Sequence, residues 1–519
     1  MSMFRHGIYC FLFLALFLAC DSHKQSGTSN DEGFPYVHFS SLRHQVNAPT
    51  GLVYYEGEYH LFYLGTKEKE GKTTFWGHAV STDLIRWEEL PEALSSDSLK
   101  SVGLGSVVVD YKNTSGFGTE ENPPLIAFFT SRNYEIERKG GLDIYTQELA
   151  YSLDKGFTWR KYTQPVIPNP GIFDFHAPKV FWHEQTQQWV MTLVMEGRIG
   201  FYTSINLKEW NYVSTFGVGI DNETNMWEQP DLFEISLNNE TKWVLAVNVG
   251  LGFSDNWFTG YFVGEFDGKS FSSKQTQPLW IDFGKDFYNG ITFKDMLNDR
   301  QVLIGQINNH EYTDTIPKSL GNGSLSIPRE LQLKKIAESY LLTSSPIKEI
   351  ESLYGKRKTI RDMKVAQDIH SSGILDITSQ IPFPLLPLEL NICFKTDIEG
   401  QMGFAERFGV IFKNEKNESI LVGYNTYHQQ LYIERESLNM ENKKGAHSLG
   451  YDIGKSETLT MRIILDTTSL ELFTLDGEIA MTDAFFLSSN LDRLEIFAEN
   501  GKIEIESVST TQLKSILKQ

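Results

Sequence analysis

The sequence predicts an all-β protein built from two domains. Short strand-like runs separated by Gly, Asn and Asp fill residues 35 to 333. A second set with period-two alternation, such as Leu470-Glu471-Leu472-Phe473, follows a segment richer in Lys, Glu, Ser and Leu. Because 519 residues exceed one ordinary core, we expect a first β domain over 34–335, a linker over 336–358 and a second β domain over 359–516.

A hairpin signature recurs within the first domain. Each copy combines a strand end, a turn rich in Asp, Asn or Gly, and a new strand that opens on an aromatic residue. Repeats of this kind are typical of a β-propeller, in which each blade packs against its neighbours. The four copies are Ser81 to Trp87, Ser152 to Trp159, Ser204 to Trp210 and, less regularly, Glu265 to Phe271.

The second domain is predicted to be a β-sandwich, because its alternating runs are joined by tight turns such as Asp476-Gly477. The linker should contain a short helix around Ile347 to Tyr354. The sequence contains no phosphate-binding Gly loop and no Cys/His cluster, so we predict neither a cofactor nor a metal. The formal charge of −20 repels phosphate backbones and argues against nucleic acid as a partner.

The N-terminus resembles a bacterial lipoprotein signal. An apolar run from Ile8 to Ala19 follows Arg5 and is too short for a stable membrane-spanning anchor. It ends in Leu16-Phe17-Leu18-Ala19-Cys20. We expect a signal peptide over 1–19, lipidation of Cys20 and a polar tether over 20–33, which would hold the protein on a bacterial membrane, on the periplasmic or cell-surface side. An ordinary cleaved signal peptide is the alternative.

Several motifs carry a family resemblance. They include Asn47-Ala48-Pro49-Thr50-Gly51 before an aromatic hairpin, Trp76-Gly77-His78-Ala79, and Trp227-Glu228-Gln229-Pro230-Asp231. In this order they resemble glycoside hydrolase family 32, the fructan and sucrose hydrolases such as levanase, inulinase and invertase. The resemblance implies a five-bladed β-propeller with its site in the axial funnel, followed by a C-terminal β-sandwich.

The resemblance also implies a degenerate catalytic site. The family hydrolyses with retention, using one carboxylate as nucleophile, a second as acid/base and a third Asp as stabiliser of the sugar cation. In this sequence the nucleophile position is Ala48 and the stabiliser position is Ala177, whereas the acid/base position keeps Glu228. Retaining hydrolysis is therefore predicted to be lost or very weak.

Six further residues are candidates for substrate binding. Asp174 is either a substitute for a missing carboxylate or a solvated loop residue, and His176 is either a sugar contact or a polar replacement for Arg. Trp76 is either a sugar platform or a packing residue of its blade. The full set is Asn47, Trp76, Asp174, His176, Asp286 and Tyr288.

Three functions remain open at this point. The first is a non-hydrolytic lipoprotein that binds a fructan-like oligo- or polysaccharide and passes it to glycan-uptake machinery. The second is an active glycosidase that uses Glu228 as acid/base, for example as an inverting pair with Asp174 acting through water. The third is a purely structural role with no bound sugar, which explains Glu228, Asp286 and Tyr288 poorly.

Overall fold

The computed structural model describes residues 34–67, 73–220, 225–238, 240–251, 257–308, 323–368, 371–382, 385–396, 403–436, 446–450 and 457–517. The predicted signal peptide, Cys20 and the tether lie outside these ranges. The described residues belong to one compact unit. They are almost entirely strands, so the predicted all-β class is confirmed.

The first 22 strands form five antiparallel sheets, each of which is one blade. Blade 1 contains β1 (Gln45–Tyr55), β2 (Glu58–Lys67), β3 (Thr73–Ser81) and β4 (Glu88–Ser95). Blade 2 contains β5 (Lys100–Val109), β6 (Leu125–Asn133), β7 (Tyr145–Ser152) and β8 (Arg160–Lys161). Blade 3 contains β9 (Phe175–His183), β10 (Gln188–Met195), β11 (Arg198–Ser204) and β12 (Asn211–Phe216). Blade 4 contains β13 (Asn225–Leu237), β14 (Glu240–Leu251), β15 (Trp257–Phe266), β16 (Phe271–Ser273) and β17 (Leu279–Trp280). Blade 5 contains β18 (Phe287–Thr292), β19 (Gln301–Ile307), β20 (Ser324–Leu325), β21 (Arg329–Ile336) and β22 (Ser339–Pro346).

The innermost strands close the five blades into a ring. Strands β1, β5, β9, β13 and β18 contact one another in this order, and β18 contacts β1. At the closure, the Tyr54 amide donates to the Lys294 carbonyl at 3.0 Å, and the Lys294 amide donates to the Leu52 carbonyl at 2.9 Å. The predicted five-bladed propeller is therefore confirmed.

The recurring hairpin marks the same place in four blades. In blades 1 to 4 it is the turn between the third and the fourth strand. A side-chain oxygen two residues beyond the strand end accepts backbone amides and closes the turn. Asp83 accepts from the amide of Ile85 at 2.9 Å, and Asn206 accepts from the amide of Glu209 at 2.9 Å. Blade 5 lacks the motif because β21 and β22 are joined by a two-residue turn.

The remaining strands form two sheets packed face to face around an apolar core, so the predicted sandwich is confirmed. The seven-stranded sheet has the order β24-β23-β35-β26-β31-β32-β33, and the six-stranded sheet has the order β25-β34-β27-β28-β29-β30. These strands are β23 (Tyr354–Asp368), β24 (Ser371–Ser372), β25 (Ile374–Asp376), β26 (Leu388–Lys395), β27 (Arg407–Asn414), β28 (Ser419–Asn425), β29 (Gln430–Glu436), β30 (Ala446–Gly450), β31 (Thr458–Leu465), β32 (Ser469–Thr474), β33 (Ile479–Ala484), β34 (Leu491–Glu499) and β35 (Lys502–Leu513).

Helices in the described part of the chain are short. The segment predicted as linker contains β22, which completes blade 5, and then a 3-10 helix at Lys348–Leu353, where the sequence predicts a helix. The others are α1 (Tyr134–Arg138) and 3-10 turns at Leu297–Asp299, Thr378–Gln380 and Leu475–Gly477. None of the helices among the described residues is long and apolar enough to cross a membrane.

A buried charge network joins the propeller to the sandwich. Arg329 of β21 is 0% exposed and donates to Asp282 at 2.7 Å and to Glu471 of β32 at 3.0 Å. His38 lies between Asp466 at 2.8 Å and Glu471 at 2.9 Å. Burial alone would lower the pKa of His38, but its two carboxylate partners outweigh burial and raise this pKa to about 9.

We predict that this network makes stability fall at alkaline pH. The pKa of His38 in the folded protein lies above its ordinary value. Its contribution to the free energy of unfolding is therefore complete below pH 6.5 and is lost as the pH rises through about 9. This contribution is at most about 3 kcal/mol. Thermal unfolding between pH 6 and 10 should show a steeper loss of Tm for the wild type than for His38→Gln. The exposed His428 offers a control, and equal slopes for wild type, His38→Gln and His428→Gln would contradict the prediction.

Candidate functional site

The innermost strands share an irregularity near their first residues. The pairing register of each shifts within a few residues, which is the mark of β-bulges that redirect side chains. The shifts lie around Pro49 in β1, between Val102 and Gly105 in β5, opposite Thr192 and Val194 in β9, between Glu228 and Asp231 in β13, and between Tyr288 and Ile291 in β18. Because these strands surround the axis, the five bulges form one ring at the funnel.

Three non-glycine residues of this ring have left-handed backbone conformations. Ala177 has φ 58°, Gln229 has φ 44° and Asn289 has φ 54°. The conformation is costly for alanine, by about 1–2 kcal/mol. Neighbouring groups hold it in place: the Ala177 amide donates to Thr130 Oγ1 at 2.8 Å, and Thr130 donates to Gln147 at 3.0 Å.

Hydrogen bonds across blades fix the ring. The Gln229 side chain donates to the Pro49 carbonyl at 2.7 Å, which places blade 4 beside Ala48 of blade 1, the predicted nucleophile position. The Gly105 amide donates to Thr50 Oγ1 at 2.7 Å. Ser106 Oγ donates to the Pro178 carbonyl at 3.0 Å. These contacts use backbone atoms or residues beside the catalytic positions, so they do not depend on the carboxylates that the family uses.

A buried ion pair lies on the same inner strands. Lys179 of β9 contacts Asp231 of β13 at 3.3 Å, and Lys294 approaches the other Asp231 oxygen at 3.5 Å. Asp231 also accepts from the amide and hydroxyl of Thr292 at 2.6 and 2.8 Å. Burial lowers the pKa of Lys179 to about 8, although Asp231 opposes this. Burial raises the pKa of Asp231, but the two lysines outweigh it and lower that pKa overall.

Glu228 is the retained carboxylate of the funnel. Its Oε2 accepts a hydrogen bond from the Tyr288 hydroxyl at 2.8 Å, and the Tyr288 ring packs on Trp257 with 5.2 Å between centroids. Burial, followed by the charge of Glu228, raises the pKa of Tyr288 well above its ordinary value, so the hydroxyl keeps its proton. The Trp257 ring also covers Gly250, where a Cβ atom would lie 2.5 Å from the ring.

His176 and Asp174 form an ion pair beside Glu228. His176 Nε2 lies 2.6 Å from Asp174 Oδ1, and the other Asp174 oxygen accepts from the Gly197 amide at 3.3 Å. Burial lowers the pKa of His176, but Asp174 and then Glu228 outweigh it and raise that pKa. The Tyr145 ring packs edge-on against His176, with 6.2 Å between centroids. The structure thus brings an imidazole, paired with a carboxylate, to the funnel near Glu228.

The two alanines are part of this ring. Ala48 and Ala177 are each 2% exposed. Asn47, next to Ala48, donates to Thr66 Oγ1 at 2.8 Å and is half-buried. The predicted residues that the structure brings together are Asn47, Ala48, Asp174, His176, Ala177, Glu228 and Tyr288.

Two predicted substrate-binding residues lie elsewhere. Trp76 is 0% exposed, packs in the core between blades 1 and 2, and donates to the Gly103 carbonyl at 2.8 Å, so a sugar has no access to it. Asp286 is buried at the sandwich, where it pairs with Arg435 at 2.8 Å and accepts from the Ala484 amide at 2.6 Å. Both residues serve packing or domain contact, and the prediction that they bind sugar is wrong.

The sequence alone did not reveal four residues of the funnel: Tyr145, Gln229, Trp257 and Asn289. The Gln229 and Asn289 side chains are nearly buried, and Gln229 Oε1 and Asn289 Oδ1 have no hydrogen-bond partner within the described residues. Gln229 directly follows Glu228, and Asn289 directly follows Tyr288. Their place next to predicted site residues was the sequence signal that could have identified them. No group of three or more metal-ligating side chains occurs in the part of the chain that the structure describes.

A propeller with an axial acid, joined to a β-sandwich, is the architecture of a glycoside hydrolase. The model of the glycosyl hydrolases family 32 N-terminal domain matches residues 38–346, and the family 32 C-terminal model matches residues 349–512. The chain therefore belongs to glycoside hydrolase family 32.

Individual relatives agree with this assignment. A levanase of Bacillus subtilis (strain 168) is 36% identical over 97% of this chain and 74% of its own length. The crystal structure of the exo-inulinase of Aspergillus awamori is similar with a TM-score of 0.79 and 27% identity, covering 93% of this chain and 98% of that one. A glutamate-to-alanine variant of a Schwanniomyces occidentalis fructofuranosidase, complexed with fructosylnystose, has a TM-score of 0.79 and 26% identity, covering 94% of this chain and 99% of that one.

We predict that the Lys179–Asp231 pair stabilises the ring that carries the site. Asp231→Asn keeps an acceptor for Thr292 but leaves Lys179 buried without its countercharge, which should cost about 3 kcal/mol or more. Lys179→Met in the same chain removes the unpaired charge and should recover part of the loss. Chemical denaturation of both single variants and the double variant measures the coupling, and additivity within about 0.5 kcal/mol would contradict the prediction.

Proposed function

We propose that the protein binds a β-fructoside glycan in its propeller funnel and does not cleave it by the retaining mechanism of its family. One observation carries the proposal: the ring holds buried Ala48 and Ala177 at the positions that the family resemblance assigns to the nucleophile and the stabilising Asp, while Glu228 and Tyr288 are hydrogen-bonded to each other in the same funnel. A methyl group cannot form the covalent glycosyl intermediate that retention requires.

The remaining groups are suited to binding hydroxyls. Glu228 supplies carboxylate acceptors, and Tyr288 positions that carboxylate. The pair of His176 and Asp174 adds further polar side chains to the funnel near Glu228. Trp257 is partly exposed and offers an aromatic face to a sugar ring. Charge-assisted hydrogen bonds to hydroxyl groups, together with packing of the sugar ring on an aromatic face, are suited to carbohydrate recognition.

The relatives support a fructan ligand. Those compared above include a levanase and an exo-inulinase. The Schwanniomyces occidentalis variant is a family fold in which a glutamate has been replaced by alanine and which was crystallised with fructosylnystose. That complex supports the idea that the funnel of this fold can hold an oligofructoside when a carboxylate is absent.

A glycosidase of altered chemistry is the second candidate, favoured by the position of Asp174 beside His176 near Glu228. An inverting mechanism would need Asp174 to accept a proton from water. One Asp174 oxygen contacts His176 at 2.6 Å and the other accepts from an amide, and His176 lowers the Asp174 pKa further against the effect of burial. A carboxylate held in this way is a weak base, so we rank binding above catalysis.

We predict tight binding with negligible turnover. Isothermal titration calorimetry should detect binding of fructosylnystose to the wild type, and Glu228→Gln should weaken it about tenfold or more because a charged acceptor is lost. Release of fructose from levan, inulin or fructosylnystose should stay about 10⁴- to 10⁶-fold below that of an active family member, since the nucleophile is absent.

A restored variant is the matched control. Ala48→Asp combined with Ala177→Asp returns both missing carboxylates to the ring and should raise fructose release above the wild-type level. Rapid release by the wild type that Glu228→Gln abolishes would contradict the proposal and favour the second candidate. Absence of any fructoside binding would contradict both.

We further propose that Cys20 is lipidated and anchors the protein to a bacterial membrane, where the bound glycan would be close to uptake machinery. The basis is the signal-like sequence Leu16 to Cys20 and the polar segment over 20–33. In the native host, Cys20→Ser should move the protein from the membrane fraction to the soluble fraction and abolish incorporation of labelled fatty acid. Cys393→Ser is the control and should leave both unchanged; unaltered membrane association of Cys20→Ser would refute the anchor.

A further inference from the structure

A second cavity, of about 580 Å³, lies at the opposite ends of the inner strands from the funnel. The funnel residues lie near the first residues of β1, β9, β13 and β18. The cavity is lined by the last residues of β5 and β9, the second half of β13 and the segment after β18, including Val109, Trp182, Glu234 and Lys294. Its volume is within the range of small-molecule sites. The mechanism proposed for the funnel uses none of these residues.

Aromatic side chains form one wall of this cavity. Tyr111 lines the cavity and is 49% exposed, so part of its side chain is accessible. Trp182 is partly exposed, packs at a steep angle on Trp189 with 5.2 Å between ring centroids, and has the Lys112 ammonium 4.5 Å from its own ring centroid. Rings of this type offer apolar faces together with polar edges, which suits the apolar faces of sugar rings.

Polar groups complete the lining. The lining contains three basic and four acidic side chains, so its formal charge is −1. They are Lys112, Lys294, Arg300, Glu184, Glu234, Asp295 and Asp299. Arg300 is already paired with Glu330 and Glu349, and Lys294 with Asp231. No uncommitted cluster of positive charge is left to attract an anion, and a neutral polyhydroxylated ligand fits this balance best.

Asp295 lines the cavity and is an exposed residue, so it is accessible to a ligand. Its backbone has φ 58°, and Asn298 and Asp299 in the same turn have φ 59° and 54°. Asn and Asp adopt this conformation more readily than most other residues, and these three residues set the course of the turn.

We propose that this cavity is a second, non-catalytic saccharide-binding site that takes a unit of a neutral oligosaccharide. Tyr111 and Trp182 would contact the apolar faces of the sugar, and Asp295 would accept hydrogen bonds from its hydroxyls. The site lies on the face of the propeller opposite the funnel, and it does not depend on what the funnel does. A chain held there would be bound without access to Glu228.

The test uses the soluble chain from residue 21 onward and titration calorimetry with fructosylnystose, maltotetraose, cellotetraose and xylotetraose. Asp295→Asn removes the charge but keeps a residue type that tolerates a left-handed backbone, and Tyr111→Ala removes the exposed ring. We expect at least one oligosaccharide whose binding falls about tenfold or more in both variants and is unchanged in Glu228→Gln. Thermal unfolding of each variant checks that the fold is retained.

Tyr427 provides the matched control, since its ring is 83% exposed on the sandwich. Tyr427→Ala should leave the same binding unchanged. The proposal is overturned if none of the four oligosaccharides shows binding that depends on Asp295 and Tyr111. It is equally overturned if such binding falls in parallel with Glu228→Gln, which would assign it to the funnel.

Discussion

The hydrogen bonds that cross between blades at the ring of bulges are the constraint on which the site depends. Gln229 bonds to the Pro49 carbonyl, Thr50 to the Gly105 amide and Ser106 to the Pro178 carbonyl. These partners are backbone atoms or neighbours of the catalytic positions. The funnel therefore keeps its geometry whether positions 48 and 177 carry carboxylates or methyl groups. Ala177 illustrates this, because it keeps a left-handed backbone conformation although that conformation is unfavourable for alanine.

Under the proposed function, this separation of scaffold from chemistry explains how catalysis could be lost while the fold is kept. The buried charges that remain serve structure: Lys179 and Asp231 join the inner strands, and Arg329 with His38 joins the propeller to the sandwich. The funnel retains Glu228, its tyrosine partner and an adjacent imidazole. Such a set is suited to binding hydroxyl groups, and the predicted nucleophile position carries a methyl group instead of an attacking oxygen.

Much of the fold could be predicted from the sequence, because turn chemistry and strand alternation are local. The three Ser-x-Asp/Asn hairpins and the looser copy at Glu265 to Phe271 fall at one place in four blades, and the helix at 348–353 lies where it was expected. The site was harder to predict, since its members come from different blades. Trp76 and Asp286 sit in recognisable motifs but are buried by packing against blade 2 and the sandwich. Trp257 and Tyr145 belong to the funnel because they contact Tyr288 and His176 of other blades, and no local sequence pattern predicts such contacts.

The most direct test of the central claim is a crystal structure of the wild-type protein soaked with fructosylnystose at neutral pH. The account predicts an intact oligosaccharide in the funnel, with hydroxyls on Glu228 and every glycosidic bond unbroken. A fructosyl ester on Glu228, Asp174 or any other carboxylate of the chain would contradict it.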